Sequence, residues 1–246
     1  MRIKIKSLLL SVSFFALTVW LGGCASGEGS ALESYNRNMY KINRAIDNVT
    51  LKPLAKGYHA ITPDPVEDSV DNFFSNLGEV STIINSILQG KLNNAVASSA
   101  RLVWNTTLGL GGLFDVATAM NIQVDKEDFG QTLRRWGLPA GPYIVLPILG
   151  SSTPTDTLGL VGNYFMSPLS YEKLWHNEDT HIGLLVLDRI NARVQLFEKE
   201  ELLKKAAIDE YGFVKSAYLQ RRNTLTRDGK GDTEIDQAFD ELFEEQ

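Results

Sequence analysis

Trp136-Gly-Leu-Pro-Ala-Gly-Pro-Tyr-Ile-Val-Leu-Pro-Ile-Leu-Gly-Ser-Ser-Thr-Pro-Thr-Asp-Thr-Leu-Gly-Leu-Val-Gly-Asn-Tyr-Phe-Met-Ser-Pro-Leu-Ser-Tyr171 carries one charged side chain, Asp156, in 36 positions. It also carries five prolines and five glycines. Proline removes a backbone donor and breaks a helix interior, so the stretch is neither one buried helix nor one straight membrane-crossing helix. Broken apolar backbone is tolerated at membrane depth where it packs on protein or lines a cavity. Two readings follow: the core of an ordinary globular domain, or a body inserted in a membrane.

The charge pattern extends this contrast outward. Residues 72–171 hold 11 charged side chains in 100 positions, and residues 172–246 hold 28 in 75. Leu92–Val124 has only Arg101 and Asp115. A charged segment, Asp125-Lys-Glu-Asp128 followed by Arg134 and Arg135, separates the two apolar stretches.

Helical signals dominate. Asp64-Pro65 reads as N-cap and N1 of a helix reaching about Leu77. A second helix runs from Val80 to Gln89 and stops at Gly90. Lys91–Trp104 has apolar residues at helical spacing. Leu184, Leu187, Ile190, Val194 and Phe197 recur at i+3 and i+4 from about Thr180, in a pattern that can continue past Leu203 to Tyr218. The best strand candidate is Tyr143–Leu146, ended by Pro147. The expected fold is all-α with low strand content, its helices broken by the Gly/Pro-rich stretches.

The N-terminus places the chain in the cell. Arg2, Lys4 and Lys6 precede an uncharged stretch from Ser7 to Trp20, and Leu21-Gly22-Gly23-Cys24 ends on the sole cysteine. Cationic start, apolar run and small residues before a cysteine make a lipoprotein signal over residues 1–23. The apolar run is short for a spanning helix, which needs about 20 residues. Cys24 is the lipidation site, residues 24–33 a linker, 34–222 the helical body, and 223–246 an acidic tail. Ala25 and Ser26 follow the cysteine. The aspartate that ordinarily signals inner-membrane retention is missing there, which favours the periplasmic side of the outer membrane.

Losing the signal removes three of 24 basic residues and none of 30 acidic ones, for a mature net charge of −9. Such a charge argues against nucleic-acid binding. The acylated thiol leaves no cysteine for a disulfide. In the tail, Ile235, Phe239, Leu242 and Phe243 share one helical face with acids opposite, which reads as a partner-docking helix.

Catalytic templates fail. His176 and His181 are five apart, not the i, i+4 pair of a zinc helix, and His59 stands alone. Gly109-Leu-Gly-Gly112-Leu-Phe114 lacks the last glycine of a dinucleotide loop and suggests flexible or close-packed backbone. Gly150-Ser-Ser-Thr-Pro154 lacks the second glycine of a nucleophile elbow. No catalytic residue, cofactor or metal is expected.

Asp128-Phe-Gly-Gln-Thr-Leu-Arg-Arg-Trp-Gly137, Gly141-Pro-Tyr-Ile-Val-Leu-Pro147 and Ile84-Asn-Ser-Ile-Leu-Gln-Gly90 together resemble the VacJ/MlaA family. The resemblance spans about Ser34 to Tyr218. It implies an outer-membrane lipoprotein, a helical ring in the inner leaflet. Its amphipathic channel passes strayed phospholipids inward to a soluble periplasmic carrier, and it associates with a trimeric porin. By position in these motifs, Asp128, Gln131, Arg134 and Arg135 are the polar cluster of the lumen or its mouth, or else a buried ion-pair set. Gly141 and Pro142 shape a bend. Trp136 and Tyr143 belong at membrane-interface depth. Relatives commonly carry a Gly-Pro-Ser-x-x-Arg-Asp-like block after the second motif. Here Gly150-Ser-Ser-Thr-Pro-Thr-Asp156 lacks its arginine, so Asp156 is expected unpaired or differently paired. The rival readings are a porin-associated structural lipoprotein without transport activity and a lipoprotein hydrolase.

Overall fold

The computed structural model describes residues 30–175, 177–206 and 209–228. The signal, Cys24, His176 and the tail residues Ile235, Phe239, Leu242 and Phe243 lie outside them. Ten α-helices and one hairpin appear among the described residues: α1 Ala31–Val49, α2 Leu51–Ile61, α3 Asp64–Leu88, α4 Leu92–Thr107, α5 Val116–Ala119, α6 Phe129–Arg135, β1 Ile144–Leu146, β2 Gly150–Ser152, α7 Pro154–Met166, α8 Glu178–Val194, α9 Phe197–Ala206 and α10 Glu210–Thr226.

Two expectations about boundaries are corrected. The segments placed at Asp64–Leu77 and Val80–Gln89 are one 25-residue helix, α3, with Pro63 rather than Asp64 at the N-cap. Gly78 sits inside it and costs the helix only about 1 kcal/mol relative to alanine, which packing along α4 outweighs. Conversely, the long pattern from Thr180 is cut into α8, α9 and α10. The first cut falls at Gln195–Leu196 and brings Glu200 back onto Arg193. Gly90 takes the left-handed conformation expected after a helix end, φ +75°.

The elements close on themselves. α1 packs on α2, α2 on α8, α8 on α3, α3 on α6 and α7, α6 on α10, α10 on β2, and β1 on α1. This circuit is a ring. Ion pairs fasten its last joint: Arg37–Asp209 at 2.9 Å, Arg44–Glu210 at 2.6 Å and Lys215–Glu33 at 2.8 Å all link α1 to α10 or its N-cap.

The hairpin pairs Ile144 with Ser152 and Leu146 with Gly150, antiparallel. An isolated hairpin is marginal in water. Here α1 covers its free edge with two asparagines seven residues apart. Asn36 donates to the Tyr143 carbonyl at 2.9 Å and accepts from the Val145 N–H at 2.8 Å. Asn43 does the same for the Leu146 carbonyl and the Ile148 N–H, both at 2.8 Å. Two side-chain amides thus stand in for a neighbouring strand.

The distribution of polarity is inverted. Among the described residues, ten buried side chains are apolar, Pro154 included, and 23 are polar or charged. Ile42, Leu54, Ile61, Val96, Leu108, Phe165 and Leu174 are among many large apolar residues half exposed or more. In a water-soluble domain the buried set is mostly apolar. No helix among the described residues is long and apolar enough to cross a membrane.

Candidate functional site

The site is built where two short helices cross almost without side chains between them. A Cβ at Gly159 of α7 would lie 2.5 Å from the Gly130 nitrogen and 2.6 Å from its Cα on α6. Only glycine permits that approach. It brings the N-terminal turns of α6 and α7 together, and both turns are capped by side chains. Asp128 caps α6 by accepting from the Gln131 N–H at 2.9 Å. Thr153 caps α7 by accepting from the Asp156 N–H at 3.1 Å, while its hydroxyl donates to the Asp156 carboxylate at 2.8 Å. Pro154 occupies the first helical position. The divergent Gly150–Asp156 block is therefore a β-strand followed by a well-capped helix start.

Asp156 is fully partnered. It accepts from Arg134 at 2.8 Å, from Arg222 at 2.6 Å and from the Tyr218 hydroxyl at 2.7 Å. Arg222 also forks across Asp128, which ties α10 to both capped turns. Burial pushes the Asp128 carboxyl up. The Arg222 hydrogen bond and charge, with the Gln131 N–H, outweigh it and hold the group below the usual carboxylate range. Asp128, Gln131, Arg134 and Asp156 thus come together as a buried ion network. Gln131 bonds back to Asp128 and the Lys126 carbonyl, each at 3.2 Å.

Arg135 does not join it. Its half-exposed side chain turns to Asp228 at 3.4 Å, beside Lys91. Trp136 is 53% exposed, with its indole N–H on the Leu88 carbonyl at 3.1 Å. Tyr143, expected at interface depth, is instead 6% exposed. It packs edge-on against Tyr211 and Tyr218, and its hydroxyl meets Ser151 at 2.8 Å. The reason is the hairpin: pairing of β1 with β2 turns the Tyr143 ring toward α10. Gly141 has φ +77°, and a Cβ there would meet Pro154 at 2.9 Å, while Pro142 is half-buried beside it. In the Gly109–Gly112 turn the close-packed reading holds. A Cβ at Gly112, φ +96°, would strike Asn76 of α3 at 2.6 Å.

Inside the ring two cavities adjoin. One, about 790 Å³, lies between α1, the hairpin and α8–α10. The other, about 380 Å³, lies against α6, α7 and the ion network. Leu149, Ser151, Tyr218 and Arg221 line both. Their walls are amphipathic. Val145, Leu196, Leu203, Phe213 and Val214 supply apolar surface, and Arg44, Asp47, Arg193, Lys199 and Arg221 supply charge. Arg193 is held by Asp47 at 2.9 Å and by Glu200, whereas Arg221 has no ion-pair partner among the described residues. Sequence reasoning missed Asn36, Asn43, Tyr218, Arg221 and Arg222. A signal existed for α10: Tyr211 and Tyr218 are seven apart on one face beside the Arg221-Arg222 pair.

A family model described as MlaA lipoprotein matches residues 30–225. The intermembrane phospholipid transport system lipoprotein MlaA of Escherichia coli K12 is 32% identical over 240 residues, covering 94% of this chain and 91% of that protein. The protein of the same name from Haemophilus influenzae is 33% identical, covering 92% and 93%. An uncharacterized protein of Rickettsia typhi is 37% identical over 191 residues, 77% of this chain and 75% of its own. A solved structure concerned with maintenance of bacterial outer membrane lipid asymmetry superimposes with a TM-score of 0.67 at 33% identity, over 79% of this chain and 98% of that one. The motifs, the helical ring and these matches agree, and the chain belongs to the MlaA lipoprotein family.

Proposed function

We propose that this chain moves phospholipids that have strayed into the outer leaflet of the outer membrane inward to the periplasm, and so maintains lipid asymmetry. The observation that carries the reading is the amphipathic cavity inside a ring of inverted polarity. A phospholipid needs a polar path for its headgroup and an apolar one for its tails, and the paired walls offer both. Transfer between leaflets breaks no bond, so no nucleophile is required. The apolar residues on the outer faces suit a body seated in one leaflet, half of a hydrocarbon core about 30 Å thick. Lipidation at Cys24 then serves as sorting address and tether on the periplasmic side. A trimeric porin would contact the outer rim of the ring. A soluble periplasmic carrier would take the lipid, docking on the tail face of Ile235, Phe239, Leu242 and Phe243.

The experiment is a deletion strain whose surface phosphatidylethanolamine is labelled with a membrane-impermeant amine reagent. Labelling rises in the deletion and returns to normal when the chain is restored. Unchanged labelling in the deletion would overturn the proposal in favour of a structural envelope lipoprotein.

A further inference from the structure

The corner between α2 and α3 gathers a donor set that the lipid path does not use. His59 is in the last turn of α2, and Asp64 and Glu67 are in the first turn of α3, joined by Thr62-Pro63. One ligand atom from each of the three lies within 4.8 Å of the others. His59 Nδ1 sits 3.0 Å and 3.1 Å from the two Glu67 oxygens. Glu67 is 5% exposed, and among the described residues that ring nitrogen is the only hydrogen-bond partner of its carboxylate. Buried carboxylates ordinarily collect several donors, because an ionised group away from water is costly. The two Glu67 oxygens share a single ring nitrogen, and the exposed Asp64 lies beside them.

We propose that His59, Asp64 and Glu67 bind a divalent cation of the zinc class. Imidazole nitrogen with two carboxylates suits that class. Zinc holds such ligands at about 2.0–2.2 Å, which spaces neighbouring donor atoms by about 3.3 Å. The His59–Glu67 distances are already near that edge, so only Asp64 needs a rotamer change. The ion takes the Nδ1 lone pair, so the bound ring is the neutral tautomer with its hydrogen on Nε2: a neutral ring protonated on Nδ1 moves that hydrogen to Nε2 through solvent, and an imidazolium releases its Nδ1 proton to solvent. The His59 ring is steadied edge-on by Phe197 of α9 at 6.1 Å. Pro63 and Pro65 stiffen the linking turn, so the three ligands are presented with little ordering left to do. The positive end of α3 opposes a cation by less than about 1 kcal/mol, and two carboxylates outweigh it. The ion would clip α2 to α3, both of which pack on α8, and so lock one corner of the ring.

Untagged full-length protein in detergent, stripped with chelator, is titrated with Zn²⁺ by calorimetry and with Co²⁺ by visible absorbance. We expect one equivalent per chain, a higher thermal midpoint with Zn²⁺, and at least about tenfold weaker binding in His59→Ala. Asp64→Asn weakens binding less. Glu67→Gln abolishes it, with circular dichroism confirming the fold. His181→Ala, whose ring nitrogen is already engaged by the Leu169 carbonyl at 2.8 Å, binds as wild type. No saturable equivalent, or unchanged affinity in His59→Ala, would overturn the proposal and leave a His59–Glu67 ion pair only.

Discussion

Arg222→Met tests the ion network at its centre. The Arg222 guanidinium bridges Asp128 on α6 and Asp156 on α7, so its removal strips one cation from two carboxylates at once. Removing one member of a buried pair costs about 3–5 kcal/mol when the other charge is left uncompensated. Here the loss is cushioned. Asp156, with its side chain 7% exposed, keeps Arg134, Tyr218 and Thr153, and Asp128 is 30% exposed and keeps its cap to Gln131. The lower end, about 3 kcal/mol, is the expected cost. For a domain of this size that is a fall of roughly 6–12 °C in thermal midpoint, read by circular dichroism in detergent. Asp128→Asn alone is milder, because water reaches that carboxylate. The double variant should cost less than the sum of the two, since both remove one interaction. A fall under about 2 °C in Arg222→Met, or additive losses, refutes the view that this pair pins α10 across the two capped turns.

Further tests separate packing from polarity. Gly159→Ala places a Cβ against the Gly130 backbone and should destabilise by about 1–3 kcal/mol. Gly78→Ala meets nothing within 4 Å and should stabilise by up to about 1 kcal/mol, and equal midpoints for the two would refute the glycine crossing. Burial raises the Asp115 carboxyl, but the Thr118 hydroxyl and N–H, Asn105 and Arg101 more than offset it and lower the group from 3.8 to about 2. A carboxyl depressed on folding stabilises fully above its unfolded value and loses that contribution as pH falls through the folded one. The thermal midpoint should therefore drop between pH 3.8 and about 2, and less so in Asp115→Asn. Arg221→Glu removes no ion pair among the described residues, so stability should hold within about 0.5 kcal/mol. Surface phosphatidylethanolamine should nonetheless rise, and wild-type labelling would remove Arg221 from the lipid path. Gly141→Leu should lower both stability and transport, because it combines φ +77° with a clash on Pro154. Normal barrier function in that variant counts against a shaping role for the bend.

The helical class, the helix stop at Gly90, a helix start within one residue of Asp64, and the hairpin strand ended by Pro147 were legible because caps, breakers and 3.6-residue periodicity act over a few residues. The family motifs pointed to Asp128, Gln131 and Arg134, and also to Arg135, which lies outside the network; Asp156 was expected unpaired or differently paired. Arg222 and Tyr218 lay about 60 to 90 residues further on, in a stretch that reads only as a charged helix. Periodicity could not say that Gln195 ends α8 or that Gly78 leaves α3 intact, since packing partners decide both. Arg134 and Arg135 look alike in sequence, yet one is buried on Asp156 and the other faces Asp228, because neighbours on a helix point about 100° apart.

The chain alone determined a helical body, a charge-poor half broken by proline and glycine, and membership in the MlaA lipoprotein family. Each is local composition or spacing, written in neighbouring residues. Only the tertiary structure decided that the polar residues turn inward and the apolar ones outward, that Tyr143 is core, that two cavities meet at Arg221, and that His59 finds Glu67. These depend on which distant segments touch. Ring closure between α1 and α10 sets that, through ion pairs such as Arg37–Asp209 that span most of the chain.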